Sequence, residues 1–196
     1  NNDLIRFKNL NLIRKSDKNF IGNTKFFLNK IPFSSNFEIN EHGAIKAFGS
    51  IVLNKKLKSL IYSKASFQIE SKNLLKFKAN GNLKNKDFDV AVRSALNNSS
   101  FFHKILNLNG KNIKKGFIDL KLIFRNGTLK KINNLLINYD NNEFKSNFDF
   151  QKPGFLKISK IFSKNFIAKS ILVKNENETF NIKIDGNLVD VSHLAN

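Results

Sequence analysis

The sequence predicts an all-β fold: an antiparallel meandering sheet that is strongly twisted and curled into an open groove. Two observations support this prediction. Apolar and polar residues alternate with a period of two in several separate runs, and turn residues such as Gly and Asn punctuate those runs. Alternation of this kind is typical of strands with one dry and one wet face. Short strands joined by short turns favour antiparallel pairing over βαβ units. A sandwich or a barrel would produce the same alternation and is the alternative architecture.

The alternating runs contain the residues that would lie on one face of the sheet. The runs lie within 65–93, 118–150 and 180–185, and Ser146 interrupts the apolar row of the second. We predict that the apolar positions of these runs line the groove: Phe67, Ile69, Phe77, Phe88, Val90, Ile118, Leu120, Leu122, Phe144, Phe148, Ile182 and Ile184.

Turn signals separate the runs. Asn80-Gly81, Asn126-Gly127 and Asp185-Gly186 predict tight turns, because the central residues of such turns need positive φ. Asn141-Asn142 predicts a further hairpin.

One stretch departs from the strand pattern. Residues 99–106 predict a short helix capped by Ser99, with Phe102, Ile105 and Leu106 on one side. This helix would separate two strand-rich halves, roughly 44–95 and 116–189. We therefore interpret residues 1–196 as a single β-groove segment with a weak internal division near 97–112.

The charge is strongly basic, with 34 Lys and Arg residues against 15 Asp and Glu residues, a formal net charge of +19. Such a balance indicates an anionic partner, which could be a nucleic acid, a lipid headgroup or a glycan. Codon bias towards A and T explains the same excess of Lys, Asn, Ile and Phe without a partner. Arg, which planar recognition of phosphate and bases favours, is rare. We therefore expect no specific nucleic-acid binding. The phenylalanines and lysines also fall on opposite strand faces, so base stacking and phosphate contact would lie on opposite sides of the sheet.

The chain carries no pattern of an enzyme or a metal site. It has no cysteine, and its three histidines are far apart in the sequence, without a second ligand at metal-binding spacing. No glycine-rich phosphate loop and no nucleophile elbow is present. We predict a non-enzymatic protein with no cofactor.

An antiparallel sheet with one dry face must cover that face with a second sheet, a partner or a ligand. A trough lined by Phe, Ile and Leu would hold acyl chains, which make no directional polar demands. Lysines at its rim would favour anionic headgroups, and the candidates are Lys111, Lys114 and Lys115.

Two stretches resemble the AsmA-like group of Gram-negative envelope proteins, which includes the YhdP and TamB types. The ending 180–194, FNIKIDGNLVDVSHL, is similar to the family's unit in which a strand and a glycine precede an aspartate and a short helix. The stretch 110–122, with Asn126-Gly-Thr-Leu129 after it, is similar to the family's strand pair.

The resemblance implies an elongated β-groove in the periplasm, anchored in the inner membrane, that conducts phospholipid towards the outer membrane and serves outer-membrane biogenesis. The chain begins at Asn1 and contains no Met. We therefore expect it to be a segment of a longer protein, with the anchor outside it. Two alternatives remain open: a structural or scaffolding β-domain of the cell envelope without bound lipid, and a basic binder of nucleic acid or anionic glycan.

Overall fold

The fold is known from a computed structural model that describes residues 5–28, 31–52, 58–59, 67–70, 74–103, 108–151, 155–163, 166–176 and 179–189. Within these ranges the chain forms fifteen strands. Their bounds are β1 Ile5–Ser16, β2 Asn19–Leu28, β3 Ile31–Asn40, β4 Ala44–Val52, β5 Phe67–Glu70, β6 Leu74–Asn82, β7 Asp87–Ala95, β8 Ser99–His103, β9 Leu108–Ile113, β10 Gly116–Arg125, β11 Thr128–Tyr139, β12 Asn142–Asp149, β13 Phe155–Ser163, β14 Phe166–Glu176 and β15 Thr179–Val189. Among the described residues, no helix is long and apolar enough to cross a bilayer.

Twelve of the strands form one sheet in the order β1-β2-β3-β4-β6-β7-β10-β11-β12-β13-β14-β15, and β5, β8 and β9 form a second sheet. Every pairing is antiparallel, and neighbours in the large sheet follow one another along the chain except where strands of the second sheet intervene. The prediction of an all-β antiparallel meander is confirmed. The large sheet is open, since β1 and β15 form its two edges. The closed barrel is therefore wrong.

Two of the four predicted turns are confirmed and two are wrong. Asn126 and Gly127 join β10 to β11 with φ of 53° and 74°, and the hairpin near Asn141 has Asp140 and Asn141 at φ of 42° and 69°. Gly81 instead lies inside β6, paired with Phe88.

Gly186 likewise lies inside β15, paired with Ala168 beside a register shift. A Cβ atom on Gly186 would lie 2.5 Å from the Ile167 carbonyl oxygen, so the glycine permits close approach of two strands. At Gly81 a Cβ atom would collide with the carbonyl oxygen of Asp87 for the same reason.

The predicted helix over 99–106 is also wrong. Ser99–His103 is the strand β8, and residues 104–106 lie outside the described ranges. Asn98 has a φ of 55°, and the Ser99 amide donates to the Leu96 carbonyl oxygen in a tight turn. Ser99 therefore follows a turn and opens a strand, rather than capping a helix. β8 lies between β5 and β9, so both sides of its backbone find partners.

The second sheet continues the pairing of β7 with β10 beyond the end of the large sheet. The Leu96 amide donates to the Gly116 carbonyl oxygen, and the Asn98 amide donates to that of Ile113. β8 then pairs with β9. The ribbon turns at 97–98 and bends at 114–115, and Ile113 at the end of β9 packs into the same hydrophobic core as Tyr139 of the large sheet.

The core lies on one face of the carboxyl-terminal half of the large sheet. Its buried members are Leu96, Ile113, Ile118, Leu135, Ile137, Tyr139, Phe144, Ile158, Ile161, Ala168 and Ile171. No described residue before Leu75 packs into this cluster. The two halves of the sheet therefore differ in how far their apolar face is covered.

Candidate lipid-binding face

The register places the apolar positions of neighbouring strands side by side on one face of the large sheet. Val92 of β7 pairs with Phe77 of β6 and with Leu120 of β10. Phe77 in turn pairs with Gly49 of β4, which pairs with Ser35 of β3. Directly opposed residues of antiparallel strands point to the same side of the sheet. We call this side the apolar face and the opposite side the polar face.

Hydroxyl side chains on the apolar face are turned into the backbone. The Thr24 hydroxyl donates to the Asn9 carbonyl oxygen at 2.8 Å, and the Ser146 hydroxyl donates to that of Lys157 at 3.0 Å. Ser35 and Ser94, also buried, contact the carbonyl oxygens of their following residues at 3.1 Å. These hydroxyls are satisfied internally. The face therefore offers little hydrogen bonding to a ligand, although these hydroxyl residues interrupt the apolar alternation in the sequence.

The carboxyl-terminal half of the apolar face is a packed interior. Ile137, Ile158, Phe144 and Ile161 have relative exposures of 0–1%. Ile113 of the second sheet is also fully buried and belongs to the same cluster. A ligand could reach these residues only if the cluster opened.

The amino-terminal half of the same face remains partly accessible. On β2, β3, β4 and β6 each described large apolar side chain of this face is half-buried, and Leu10 and Leu12 of β1 are more than half exposed. Aromatic rings contact one another across it. Phe26 and Phe33 stack with centroids 4.9 Å apart, and Phe33 meets Phe77 edge-on at 6.4 Å. This half is therefore an open apolar surface built largely from phenylalanine.

The predicted lining residues fall into three groups. Seven are half-buried on the apolar face: Phe77, Phe88, Val90, Leu120, Leu122, Phe148 and Ile184. Ile118 and Phe144 are on the same face but lie within the packed core. Phe67 and Ile69 belong to β5 of the second sheet, and Ile182 to β15 opposite Val173. The side chains of these last three lie outside the described part of the structure.

The three candidate headgroup lysines lie where the second sheet joins the large one. Lys111 is exposed on β9, and Lys114 and Lys115 are exposed in the bend before β10. The backbone amides of Lys114 and Lys115 donate to Asp140 Oδ1 at 3.1 and 3.0 Å. The carboxylate fixes the bend through the backbone, so both lysine side chains stay free to point into solvent.

The polar face carries ion pairs between neighbouring strands. Asp89 of β7 accepts from Lys121 at 2.7 Å and from Arg125 at 3.0 Å. The hydrogen bond from Lys121 is the main reason that the pKa of Asp89 is lowered, and Arg125 adds to it. Burial opposes the shift but is outweighed. The pair therefore links β7 to β10 on the side away from the groove.

A second ionic cluster lies on the polar face of β12 and β13. Glu143 Oε1 lies 2.8 Å from the Lys160 ammonium and 3.2 Å from that of Lys145. The hydrogen bond from Lys160 contributes most to lowering the pKa of Glu143. Across the described residues, no three His, Cys, Asp or Glu side chains come together in a way that could hold a metal ion.

Sequence reasoning missed two parts of this sheet. The strands β1, β2 and β3 were not recognised, and in β2 and β3 the residues Gly22, Thr24 and Ser35 occupy apolar-face positions and break the alternation. Phe48 was missed on the polar face, where it is 57% exposed beside Lys78. Phe48 shares its phase of the strand alternation with Lys46 and Ser50, and this phase was the signal that could have placed it on the polar face.

The chain was compared with protein-family models, with curated proteins and with solved structures, and none of these gave a match.

Proposed function

We propose that this chain is a non-enzymatic section of a β-groove that holds and conducts phospholipid between the inner and outer membranes of a Gram-negative bacterium. The observation that carries the proposal is the apolar face itself. It extends across neighbouring strands of an open sheet, and among the described side chains its amino-terminal half remains accessible. An apolar sheet face that stays partly accessible indicates a ligand or a partner.

The chemistry of the face favours acyl chains over polar ligands. The buried hydroxyls on it are already bonded to carbonyl oxygens, so the face offers hydrocarbon and aromatic contact with little hydrogen bonding. Exposed lysines such as Lys111 suit an anionic headgroup at the edge of the sheet. The resemblance to AsmA-like envelope proteins supports the same proposal and implies a periplasmic location, with outer-membrane components as further partners.

The first test is mass spectrometry of lipids carried by the purified chain under native conditions, after a high-salt wash. We expect phospholipid at a fixed stoichiometry, because burial of acyl chains does not depend on salt. A stably folded monomer that carries no lipid would overturn the proposal. Lipid lost in the wash would mean that charge alone held it.

The second candidate is a scaffolding β-domain. The fully buried core around Ile137 and Ile158 favours it, since that half of the apolar face is already covered by the protein's own residues. This candidate predicts a lipid-free chain whose remaining apolar face packs against a neighbouring protein. Binding of nucleic acid or glycan predicts instead an affinity that falls steeply with salt, which the same wash would reveal.

A further inference from the structure

The apolar face of β2–β7 carries two small side chains, Ala47 and Ala79, among larger ones. These two alanines are directly paired across β4 and β6. Along the same row of the sheet they are flanked by Phe37 on β3 and Val90 on β7. Both alanines remain partly accessible although their neighbours are larger. A small side chain that stays accessible between large ones lies at the bottom of a depression.

The surrounding phenylalanine rings pack over glycines rather than over these alanines. Phe37 leans over Gly22, where a Cβ atom would lie 2.7 Å from its Cζ. Phe88 covers Gly81 in the same way, because its ring would meet a Cβ atom there. Phe77 contacts the ring of Phe33 across β4. Aromatic rings therefore fill the positions over Gly22 and Gly81, while Ala47 and Ala79 keep part of their surface exposed.

The corresponding row on the carboxyl-terminal side holds larger residues. It continues from Val90 to Leu122, then to Ile132 and Phe148. All four are half-buried and apolar, and Ile132 and Phe148 pack against the closed core. The indentation is thus a local feature of β4 and β6.

The β6–β7 turn beyond this indentation is basic. Lys84 and Lys86 are exposed there, and within the described residues neither ammonium group forms an ion pair. The stem of Lys84 lies against Gly43, 3.1 Å from where a Cβ atom would be, and the Leu83 amide donates to the Gly43 carbonyl oxygen. The β6–β7 turn is therefore held against the β3–β4 turn on the side of Lys84, while the stem of Lys86 lies against Gly127 of the β10–β11 turn, 3.6 Å from where a Cβ atom would be.

The distance from the alanines to the lysines suits one acyl chain. Ala79 lies three positions before the end of β6 at Asn82, or roughly 10 Å at strand spacing, and the turn carries Lys84 beyond that end. An acyl chain spans about half of the ~30 Å hydrocarbon core of a bilayer, or about 15 Å. A lipid lying parallel to β4 and β6 would place its tail at the alanines, pass beside the Phe88 ring that covers Gly81, and place its headgroup at the turn.

We propose that β4 and β6 form a subsite for one acyl chain of an anionic phospholipid, with the tail over Ala47 and Ala79 and the headgroup at Lys84 and Lys86. This subsite rests on the proposed lipid-binding function and gives it a location and a headgroup charge. Binding elsewhere on the apolar face needs neither the alanine pair nor the two lysines.

The tail position is tested by filling the depression. The variants Ala47→Phe and Ala79→Phe place a ring where the acyl chain would lie, and Ala91→Phe adds the same ring on the exposed polar face of the adjacent β7. The probe is phosphatidylglycerol with a photoreactive group in one acyl chain. We expect labelling to fall by about tenfold or more, equivalent to 1.4 kcal/mol, in the first two variants only.

The headgroup position is tested by reversing charge. Lys84→Glu with Lys86→Glu changes the net charge as much as Lys76→Glu with Lys78→Glu, which alters exposed lysines of the polar face of β6. We expect only the first pair to weaken labelling by phosphatidylglycerol, and neither pair to change labelling by phosphatidylcholine with the same chains. Equal loss in both pairs would overturn the headgroup assignment, because it would indicate general attraction of anions.

The outcomes separate the subsite from the proposed function. If folded Ala47→Phe and Ala79→Phe are labelled as strongly as the unchanged chain, the subsite is wrong while lipid binding stands. If the unchanged chain neither carries lipid nor reacts with either probe, the proposed function fails, and the subsite fails with it. Circular dichroism and thermal unfolding of each variant establish that the comparison is made between folded proteins.

Discussion

Tyr139 lies directly against Gly110, and this contact joins the second sheet to the apolar face of the large one. A Cβ atom on Gly110 would lie 2.8 Å from both Cδ2 and Cε2 of the tyrosine ring. Gly110 is buried on β9, and Tyr139 is 4% exposed at the end of β11. The backbone of one sheet therefore packs on an aromatic ring of the other, with no side chain between them.

The first prediction concerns this contact. Gly110→Ala should destabilise the chain by about 1–3 kcal/mol, because the added methyl group forces the ring or the β9 backbone to move. Urea denaturation gives the free energy of unfolding. The double variant with Tyr139→Leu should recover part of the loss if the two residues interact directly. Additive effects in this cycle would show that the sheets are not joined through the pair.

Alkaline pH provides a second test of the same ring. Burial, and secondarily the negative charge of Asp140, raise the pKa of Tyr139 above its ordinary value of 10.0. Above pH 10 the unfolded chain loses the proton first, so the folded state loses stability as pH rises through this window.

Replacing Tyr139 with Phe removes the ionisable group and keeps the ring. The variant should therefore lose less stability than the unchanged chain between pH 9 and the alkaline limit of folding. Comparing the two chains cancels the titration of the many lysines. Parallel stability curves would show that the hydroxyl is not buried in solution.

Much of the large sheet could be predicted from the sequence, since the alternation of Leu120 and Leu122 with polar residues is a local signal. The polar residues that complete the apolar face elsewhere cannot be recognised from the sequence of their own strand. Thr24 and Ser146 behave as members of the apolar face only because carbonyl oxygens of neighbouring strands accept their hydroxyl protons. That condition depends on register, which the sequence of one strand does not contain.

The second sheet and the open half of the apolar face depend on pairings between strands, which the sequence of a single strand does not show. Ser99 has the local chemistry of a helix cap, but the pairing of β8 with both β5 and β9 satisfies its strand backbone and outweighs the helix. Gly81 has the chemistry of a turn, yet the close approach of Asp87 uses it inside a strand. The alanine indentation appears only when β4 and β6 are aligned, so it could not be predicted from either strand alone.

The third prediction concerns the bend between the sheets. Asp140 accepts the backbone amides of Lys114 and Lys115, and it has a positive φ of 42°. Asp140→Gly removes the carboxylate while tolerating that φ, and it should cost about 1–3 kcal/mol because two amides lose a charged acceptor. Amide hydrogen exchange at Lys114 and Lys115 should accelerate.

The matched control for this variant is Asn141→Gly. Asn141 is the next residue of the same turn, with a φ of 69°, and it is exposed. Glycine suits that position, so stability should change little or rise slightly. If the two variants were equally destabilised, the loss would come from the turn itself and not from the carboxylate.

The fourth prediction concerns acid stability. The pKa of Glu143 is lowered mainly by Lys160, with Lys145 contributing. As pH falls below the ordinary value of 4.5, the unfolded chain takes up the proton first, so the stabilisation from this group is lost in that window. Glu143→Gln should lower the stability at pH 7 by about 0.5–1 kcal/mol and should flatten the acid limb of the stability curve.

Glu38→Gln is the control, because Glu38 of β3 also pairs with a lysine, Lys15 of β1, across the intervening strand β2. The Glu38 side chain is 42% exposed, against 21% for Glu143, so solvent screens its ion pair more strongly. The control should change the acid limb less. An acid limb that is unchanged by Glu143→Gln would contradict the lowered pKa.

The last prediction tests which face of the sheet holds lipid. Leu120→Asp and Phe148→Asp each place a charge on the apolar face, and a buried charge without a partner is strongly unfavourable beside hydrocarbon. Phospholipid carried by the purified chain should then fall below detection in native mass spectrometry. Phe48→Asp makes the same kind of change on the polar face, at a ring that is already 57% exposed, and lipid content should be preserved. Because Leu120 and Phe148 also pack against the core, each variant must first show cooperative unfolding. Wild-type lipid content in folded Leu120→Asp and Phe148→Asp, or its loss in Phe48→Asp, would place the lipid on a different surface.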